Sequence, residues 1–272
     1  MPSWSLCPLA VLEVGPPSLI DLAAKAGYAA VGLRMVAASP GGIEYPLRAG
    51  SAALRETQQR MNDSGVRVFD LEFLSLAPAF DAKQFRWLAE AGAALGAKRI
   101  NCSGDDPDAA RTADHFAALC DLAAEYRLGV DIEFMRWRHT GTLDHAVEVV
   151  RRAGKANGGI LLDALHLMRA GGSPADLAKV PPEFLLSAQL CDAPAASPPI
   201  GELVVESRTN RLVPGAGDLP LRQIIEALPK DIALALEVPM SAYAPDAAPL
   251  DRAKRAIVAA EKLFSSWRAG VS

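Results

Sequence analysis

The sequence predicts an α/β fold made of about eight repeats of a strand followed by a helix. Short apolar runs alternate with Ala-rich helical runs from one end of the chain to the other, a pattern typical of parallel strands joined by helical crossovers. Several of the short runs are apolar on both faces, as strands covered by helices require. The chain has 272 residues, a normal length for one eight-stranded barrel.

The first four strand–helix units are recognised mainly by the residues that end their helices. The first helix begins at a pair of prolines and ends at Gly27, and the next two end at Gly65 and Gly96. Proline suits the first turn of a helix and glycine suits the position after the last. The predicted strands are 5–10, 29–35, 66–76 and 97–104, and the predicted helices are 16–27, 51–65, 81–96 and 110–129.

The last four units continue the same alternation. Their predicted strands are 130–135, 158–166, 184–193 and 231–240, and their helices are 142–154, 173–180, 219–228 and 249–267, the third of them after a long loop. The chain has no glycine-rich nucleotide loop, which disfavours the rival open, doubly wound sheet. We therefore predict a single (β/α)8 TIM barrel over residues 1–272, with no second domain.

Net charge, cysteine spacing and hydropathy disfavour several classes of function. The net charge is −4 and there is no basic run, so a nucleic-acid partner is not expected. The scattered cysteines form no CxxC pair and are predicted to be free thiols in a reducing compartment. We find neither a signal-peptide pattern nor an apolar stretch long enough to cross a membrane. These features predict a cytoplasmic protein without a membrane partner.

Each of the last four predicted strands carries one oxygen-bearing side chain within an apolar run. Functional groups of such barrels lie at the carboxyl ends of the strands, and isolated buried charges there are costly. A shared divalent cation would neutralise them, and a set of hard oxygen donors suits Mg²⁺ or Mn²⁺. His166, three residues after one of these carboxylates, would lie beside the metal and face the substrate. The simpler alternative is a separate salt bridge for each residue. The four side chains are Glu133, Asp163, Gln189 and Glu237.

These residues and their surroundings resemble the xylose isomerase-like TIM barrels, a group of sugar phosphate isomerases and epimerases. The resemblance covers nearly the whole chain and is carried by the segments DIEFM, LLDALH, QLCDA, NRLVPGAGDLPL and LALEVPM. It implies that Glu133, Asp163, Gln189 and Glu237 bind one divalent cation. Mg²⁺ or Mn²⁺ is the expected ion, and Co²⁺ or Zn²⁺ remains open.

The resemblance also implies residues that contact the substrate. His166 corresponds to the histidine of the family's D-x-x-H motif, and Arg211 corresponds to its loop arginine before the PGxG turn. Arg208 is a near neighbour that could take the same role in holding an oxyanion. Glu72 and Arg34 are weaker candidates at the same mouth, and a salt bridge between neighbouring strand ends is their simpler interpretation.

The predicted function is metal-dependent isomerisation or epimerisation of a sugar or sugar phosphate through an enediolate. Glu133 and Glu237 would exchange the proton on opposite sides of the metal. Two departures from the epimerases keep an alternative open. Gln189 replaces their usual histidine, as in the metal-dependent 3-dehydroshikimate dehydratases, and Arg136 and Arg138 follow Glu133 where a second glutamate is expected.

In the dehydratase alternative, His166 donates the proton to the leaving hydroxyl group. A second alternative is a barrel that has lost catalysis and serves as a binding protein. The expected partner is a small sugar, sugar phosphate or cyclic polyol, and a homodimer remains open. A zinc nuclease resembling endonuclease IV is disfavoured because the chain has only four histidines.

Overall fold

The computed structural model describes residues 2–269, and its centre is a closed barrel of eight parallel strands. Each strand is hydrogen-bonded to the next along the chain, and the last strand pairs with the first. This arrangement confirms the predicted single (β/α)8 TIM barrel. The strands are β1 (Trp4–Leu6), β2 (Ala30–Arg34), β3 (Arg67–Leu76), β4 (Arg99–Gly104), β5 (Gly129–Glu133), β6 (Gly158–Asp163), β7 (Leu185–Leu190) and β8 (Ala233–Leu236).

Helices surround the barrel and cover the outer face of its sheet. None of the helices within residues 2–269 is long and apolar enough to cross a bilayer. The α-helices of this part of the chain are α1 (Pro16–Ala26), α2 (Ala52–Ser64), α3 (Arg86–Leu95), α4 (Ala109–Glu125), α5 (Leu143–Ala153), α6 (Ala164–Arg169), α7 (Pro174–Leu177), α8 (Leu203–Thr209), α9 (Leu221–Ala227) and α10 (Pro249–Ala269).

Helix boundaries follow local capping chemistry. Gly27 ends α1 with a φ of 95°, a left-handed conformation that glycine adopts without the strain of a Cβ atom. Asp108 precedes α4, and its side chain accepts hydrogen bonds from two backbone N–H groups of the first turn, which would otherwise lack partners. The predicted helix ends at Gly27, Gly65 and Gly96 are confirmed.

A buried polar layer lies inside the barrel beneath the residues predicted to form the site. Side chains two positions apart on a strand point the same way, so Asp70, Asp131 and Ser187 lie one layer below Glu72, Glu133 and Gln189. Ser187 Oγ donates a hydrogen bond of 2.7 Å to Asp131 Oδ2. Asp70 accepts one of 2.7 Å from a neighbouring asparagine on β4. Pairing of these polar groups lets the barrel interior support a polar site without exposing it to water.

Two strand predictions need correction. The first predicted strand, 5–10, is shorter and begins one residue earlier, because β1 ends at Leu6 and residues Pro8–Val11 form a 3-10 helix; Pro8 lacks the N–H that a ladder needs. The sixth predicted strand, 158–166, ends at Asp163. There the Asp163 side chain accepts a hydrogen bond of 2.8 Å from the backbone N–H of His166 and caps α6. The D-x-x-H motif is therefore a helix N-terminus.

The long loop predicted after β7 contains the short helix α8. A buried ion pair fixes this short helix to α6: Arg169 Nε and Nη2 donate to the two carboxylate oxygens of Glu206 at 2.8 Å and 2.7 Å. Two parallel charge-assisted hydrogen bonds hold both position and orientation. As a result, α8 carries Ser207 and Arg208 to the mouth of the barrel.

Candidate active site

A cavity of about 240 Å³ opens at the carboxyl ends of the strands. Its volume is below the roughly 300–1,000 Å³ of pockets that enclose drug-sized ligands, so it suits a small metabolite. The structure brings the residues predicted for the site together around this cavity, apart from Asp163, which is completely buried behind it. The predicted residues that line it are Arg34, Glu72, Glu133, His166, Gln189, Arg208, Arg211 and Glu237.

Four buried carboxylates lie at this cavity or directly behind it. Glu133 and Asp163 are the last residues of β5 and β6. Glu237 follows the last residue of β8, and its backbone N–H still bonds to the Leu190 carbonyl of β7. Glu72 comes from the longer β3. All four side chains are less than a tenth exposed, because the carboxyl ends of barrel strands point into one enclosed space.

Arg211 occupies the centre of this acidic cluster. Its guanidinium donates to Asp163 Oδ2 at 2.5 Å and lies 2.7 Å from Glu237 Oε2, and only 1% of Arg211 is exposed. Ser207 fixes the arginine through its backbone carbonyl at 2.8 Å and its hydroxyl at 3.0 Å. Burial opposes the charge of Arg211, but Asp163 and Glu237 outweigh it and raise the pKa of the guanidinium. Arg211 is therefore a permanent cation that joins two carboxylates.

The two carboxylates beside Arg211 respond differently to it. Burial raises the pKa of Asp163, but Arg211 and His166 overcome this effect and hold the pKa at about 2. Burial also raises the pKa of Glu237, and here Arg211 opposes it only in part, so that the pKa is about 7. Asp163 is thus a fixed anion, whereas Glu237 can exchange a proton near neutral pH.

Glu133 and His166 form a pair on the other side of the cluster. His166 Nε2 lies 3.6 Å from Glu133 Oε1. Burial raises the pKa of Glu133 well above its usual value, and the negative charges of Glu237 and Asp163 add to this effect. Burial lowers the pKa of His166 to about 4 although Asp163 opposes it. Glu133 is therefore a group that readily takes up a proton, next to a neutral imidazole.

Cys7 is a member of the cluster that the sequence reasoning missed. Its thiol donates to Glu237 Oε1 at 2.8 Å and lies 3.5 Å from Glu72 Oε1. Burial raises the pKa of this thiol well above its usual value, and Glu237 and Glu72 raise it further. Cys7 is thus a neutral donor that orients Glu237. The free thiols predicted at Cys7, Cys102, Cys120 and Cys191 are confirmed.

Gln189 supplies one observation that fits a metal ion. Its Nε2 donates to Glu72 Oε1 at 3.3 Å, whereas its Oε1 is buried and has no hydrogen-bond partner among the described residues. A buried carbonyl oxygen without a partner is costly. Candidate ligand atoms of Glu133, Asp163 and His166 lie within 4.8 Å of one another nearby. This oxygen is therefore available to a cation.

The charge balance of the cluster also fits a divalent cation. Four carboxylates meet two buried guanidinium groups, Arg211 and Arg34; Arg34 Nη2 lies 3.0 Å from Glu72 Oε2. When all four are ionised, two negative charges lack a buried counter-ion, and a cation of charge two would supply it. The Arg34–Glu72 contact is the salt bridge between neighbouring strand ends that the sequence suggested.

Basic and apolar side chains form the outer part of the cavity. Arg138 pairs with Asp105, while Arg208 has no ion pair among the described residues. Trp137 lies edge-on to His166 with 5.1 Å between ring centroids, and the Arg34 guanidinium lies 5.9 Å from the centre of the Phe73 ring. The cavity thus combines an acidic floor, arginines towards solvent and flat aromatic walls.

The fold and this acidic cavity define a TIM-barrel protein whose polar site lies where barrel enzymes carry their active sites. The model of the family described as Xylose isomerase-like TIM barrel matches residues 20–263, and the chain belongs to this family. The family resemblance inferred from the sequence is thereby confirmed.

Two curated relatives share one name, 3-dehydroshikimate dehydratase. The chain is 34% identical over 125 residues to a 3-dehydroshikimate dehydratase of Pseudomonas aeruginosa, a match covering 44% of this chain and 19% of the relative. It is 28% identical over 109 residues to the 3-dehydroshikimate dehydratase of Pseudomonas putida, covering 40% of this chain and 17% of that protein. The matched regions therefore span about a fifth of these relatives.

Solved structures with the same fold cover nearly the whole chain. The IOLI protein with a bound zinc atom has a TM-score of 0.76 at 20% identity, over 97% of both chains. A xylose isomerase domain protein from Salmonella typhimurium has a TM-score of 0.77 at 15% identity, over 96% of this chain and 97% of the other. D-allulose 3-epimerase from a Methylomonas species has a TM-score of 0.69 at 14% identity, over 96% of both chains. At these identities the likeness shows the fold alone.

Proposed function

We propose that the chain is a divalent-metal-dependent lyase that removes water from a cyclic β-hydroxy carbonyl compound of the 3-dehydroshikimate type. The observation that carries this proposal is the arrangement of Glu133 and His166. These two side chains are 3.6 Å apart, Glu133 makes no ion pair with Arg211, and Arg211 Nη2 lies 3.5 Å from the same His166 nitrogen. A proton acceptor beside a neutral imidazole suits elimination, in which the carboxylate removes a proton and the imidazole passes a proton to the leaving hydroxyl group.

Glu133, Asp163, Gln189 and Glu237 would hold the cation, and Mg²⁺ or Mn²⁺ suits their oxygens, with Co²⁺ or Zn²⁺ as alternatives. When bound, the cation supplies Lewis-acid chemistry that makes the proton next to the substrate carbonyl more acidic. Support comes from the unpartnered Oε1 of Gln189 and from the two carboxylate charges without a buried counter-ion.

The chain's own residues account for the proton transfers. Glu133 accepts the proton from the carbon next to the carbonyl, and the electron pair of that C–H bond forms the new double bond. The bond to the β-hydroxyl oxygen breaks, and this oxygen takes a proton through His166 to leave as water. Glu133 returns its proton to His166. Arg211 keeps Asp163 ionised throughout, so this carboxylate takes no part in the proton transfers.

Isomerisation or epimerisation of a sugar is the second candidate. One observation favours it: burial holds the pKa of Glu237 at about 7, so a second carboxylate could exchange a proton with the substrate. Against it, Glu237 is held at both oxygens, by Cys7 at 2.8 Å and by Arg211 at 2.7 Å. A restrained carboxylate is poorly suited to act on a second face of a sugar.

An assay with both substrate classes tests the proposal. Purified protein would be loaded with Mg²⁺, Mn²⁺ or Co²⁺ and given 3-dehydroshikimate, D-fructose or D-allulose, with products followed by NMR. We expect loss of water from 3-dehydroshikimate to give 3,4-dihydroxybenzoate, and no interconversion of the sugars. Sugar epimerisation without dehydration would contradict the lyase and support the second candidate. Stable metal binding with no turnover would support a binding protein.

A further inference from the structure

The solvent side of the cavity carries three arginines with unused hydrogen-bonding capacity. Arg34 is 7% exposed and pairs with Glu72 through Nη2, but its Nε is buried without a partner. Arg138 pairs with Asp105, and its Nε is likewise buried without a partner. Arg208, also in the lining, makes no ion pair or side-chain hydrogen bond within residues 2–269.

The three guanidinium groups also repel one another. The pKa of Arg208 is lowered, first because surrounding protein removes part of its solvent and then because Arg138 and Arg34 are close. A cation that faces two others without an anion between them is unfavourable in a partly enclosed space. An anion bound among them would remove this repulsion and pair with the Arg208 guanidinium.

The backbone holds Arg208 in place for such a contact. Arg208 lies in the last turn of α8. The residue before it, Ser207, bonds to Arg211 at 3.0 Å, and Glu206 is held by Arg169 at 2.7 Å. These two neighbours are buried, so the helical turn that carries Arg208 is fixed on the side facing the barrel. Because the backbone of this turn is already fixed, less conformational entropy is lost when Arg208 binds an anion.

We propose that Arg208, Arg138 and Arg34 form a carboxylate subsite, so that the substrate is a small carboxylic acid carrying a single negative charge. Glu72 and Asp105 already balance Arg34 and Arg138, which leaves one positive charge, that of Arg208, for the ligand. A phosphate dianion would bring one negative charge more than this subsite neutralises. The aromatic walls of Phe73 and Trp137 suit a flat ring between the carboxylate and the acidic floor.

This inference deepens the proposed function, since both place the substrate in the same cavity, but its test measures binding and not turnover. Three ring compounds share the same pair of adjacent hydroxyl groups and differ in one substituent: 3,4-dihydroxybenzoate, 3,4-dihydroxybenzamide and (3,4-dihydroxyphenyl)phosphonate. Each would be titrated by calorimetry into the Mn²⁺-loaded wild-type protein and into Arg208→Gln. Arg222→Gln is the matched control, because Arg222 is an exposed arginine paired with Glu226 on α9.

In the wild-type protein, we expect the carboxylate to bind at least about tenfold more tightly than the amide, the loss typical of one charge-assisted hydrogen bond. Arg208→Gln should weaken only the carboxylate and bring the two affinities to within about threefold, while Arg222→Gln changes neither. The phosphonate should bind no more tightly than the carboxylate.

Three results would overturn the subsite: equal binding of carboxylate and amide, equal weakening of both by Arg208→Gln, or binding of none of the compounds. Tighter binding of the phosphonate would overturn the inference that the substrate carries a single negative charge, and would indicate a phosphorylated substrate. Failure of the proposed lyase is recognised separately, as a retained preference for the carboxylate in a protein that does not dehydrate 3-dehydroshikimate.

Discussion

At the residue scale, the stability of the candidate site depends on the ion pairs that Arg211 makes. Its guanidinium is shared by Asp163 and Glu237, and all three groups are buried. A buried ion pair adds little net stability compared with an apolar replacement of the whole set, but removal of one partner leaves the others charged and desolvated. Substitution of Arg211 alone is therefore expected to lower the free energy of unfolding much more than substitution of an arginine in an exposed ion pair.

Arg211→Met is expected to reduce the free energy of unfolding by about 3–5 kcal/mol, because it leaves two buried carboxylates without their cation. Urea denaturation followed by circular dichroism measures this change. The matched control is Arg222→Met, which breaks an exposed pair with Glu226 and should change stability by less than about 1 kcal/mol. Equal effects of the two substitutions would show that Arg211 does not neutralise the cluster.

Glu133→Gln should lower kcat for dehydration by at least about a hundredfold, because the amide cannot accept the substrate proton. Because Glu133 is also proposed to hold the cation, the assay contains saturating Mn²⁺. KM should then change little and the fold should remain, since glutamine keeps the shape of the side chain. The measurement is steady-state kinetics with 3-dehydroshikimate, together with the urea midpoint. A variant with near-normal kcat would remove Glu133 from the proton transfer.

Gln189→Leu should weaken Mn²⁺ binding by at least about tenfold, because it deletes a donor oxygen next to the carboxylates. Calorimetric titration of metal into the metal-free protein measures this affinity without reference to turnover. Gln84→Leu serves as the control, because Gln84 is an exposed residue of a 3-10 helix away from the cavity. An unchanged affinity in Gln189→Leu would exclude Gln189 from the ligand set.

At the scale of the elements, the ionisable residues near the carboxyl ends of the strands could be predicted, whereas the strand boundaries and the loops could not. Glu133 and Asp163 are conspicuous in sequence because an ionisable side chain interrupts an apolar run. α8 spans only seven residues, too few for a periodic signal. Cys7 follows a three-residue strand and has the sequence character of a core residue. The contact of Arg211 with Asp163 joins residues 48 positions apart and depends on the path of a loop.

Gly65 tests the argument that local backbone chemistry ends the helices. It follows α2 with a φ of 76°, and nothing lies within 4 Å of the position that a Cβ would take. Gly65→Ala should cost about 1–2 kcal/mol through backbone strain alone. Gly201→Ala, also in open space but without a positive φ, should be neutral or slightly stabilising. Urea midpoints compare the two; equal midpoints would contradict the argument.

At the scale of the whole molecule, the barrel is a scaffold that concentrates charge at one end. Its outer face is covered by helices, and a polar layer fills the interior below the site. The strand ends then bring together four carboxylates for two buried guanidinium groups. Folding therefore works against electrostatic repulsion at this end, and a cation bound there would favour the folded state.

Removal of metal should consequently lower the melting temperature. At a Mn²⁺ concentration of about one hundred times its Kd, binding stabilises the native state by about 2.7 kcal/mol, which corresponds to roughly 5 °C for a chain of 272 residues. Scanning calorimetry with Mn²⁺ and with excess EDTA measures the difference. Gln189→Leu should show a smaller shift at the same Mn²⁺ concentration, whereas identical melting of the wild-type protein in both conditions would contradict a metal site.

The pairing of β1 with β8 has a consequence for how the protein is made. Backbone N–H of Cys7 bonds to the carbonyl of Leu236 at 3.1 Å, and the thiol of the same residue reaches Glu237, so one seam completes both the ring of strands and the acidic floor. A nascent chain on the ribosome whose β8 has not yet been synthesised has an open sheet edge and an incomplete pocket. The moment at which a refolding chain gains the ability to bind ligand therefore reports when β8 pairs with β1 and the barrel closes.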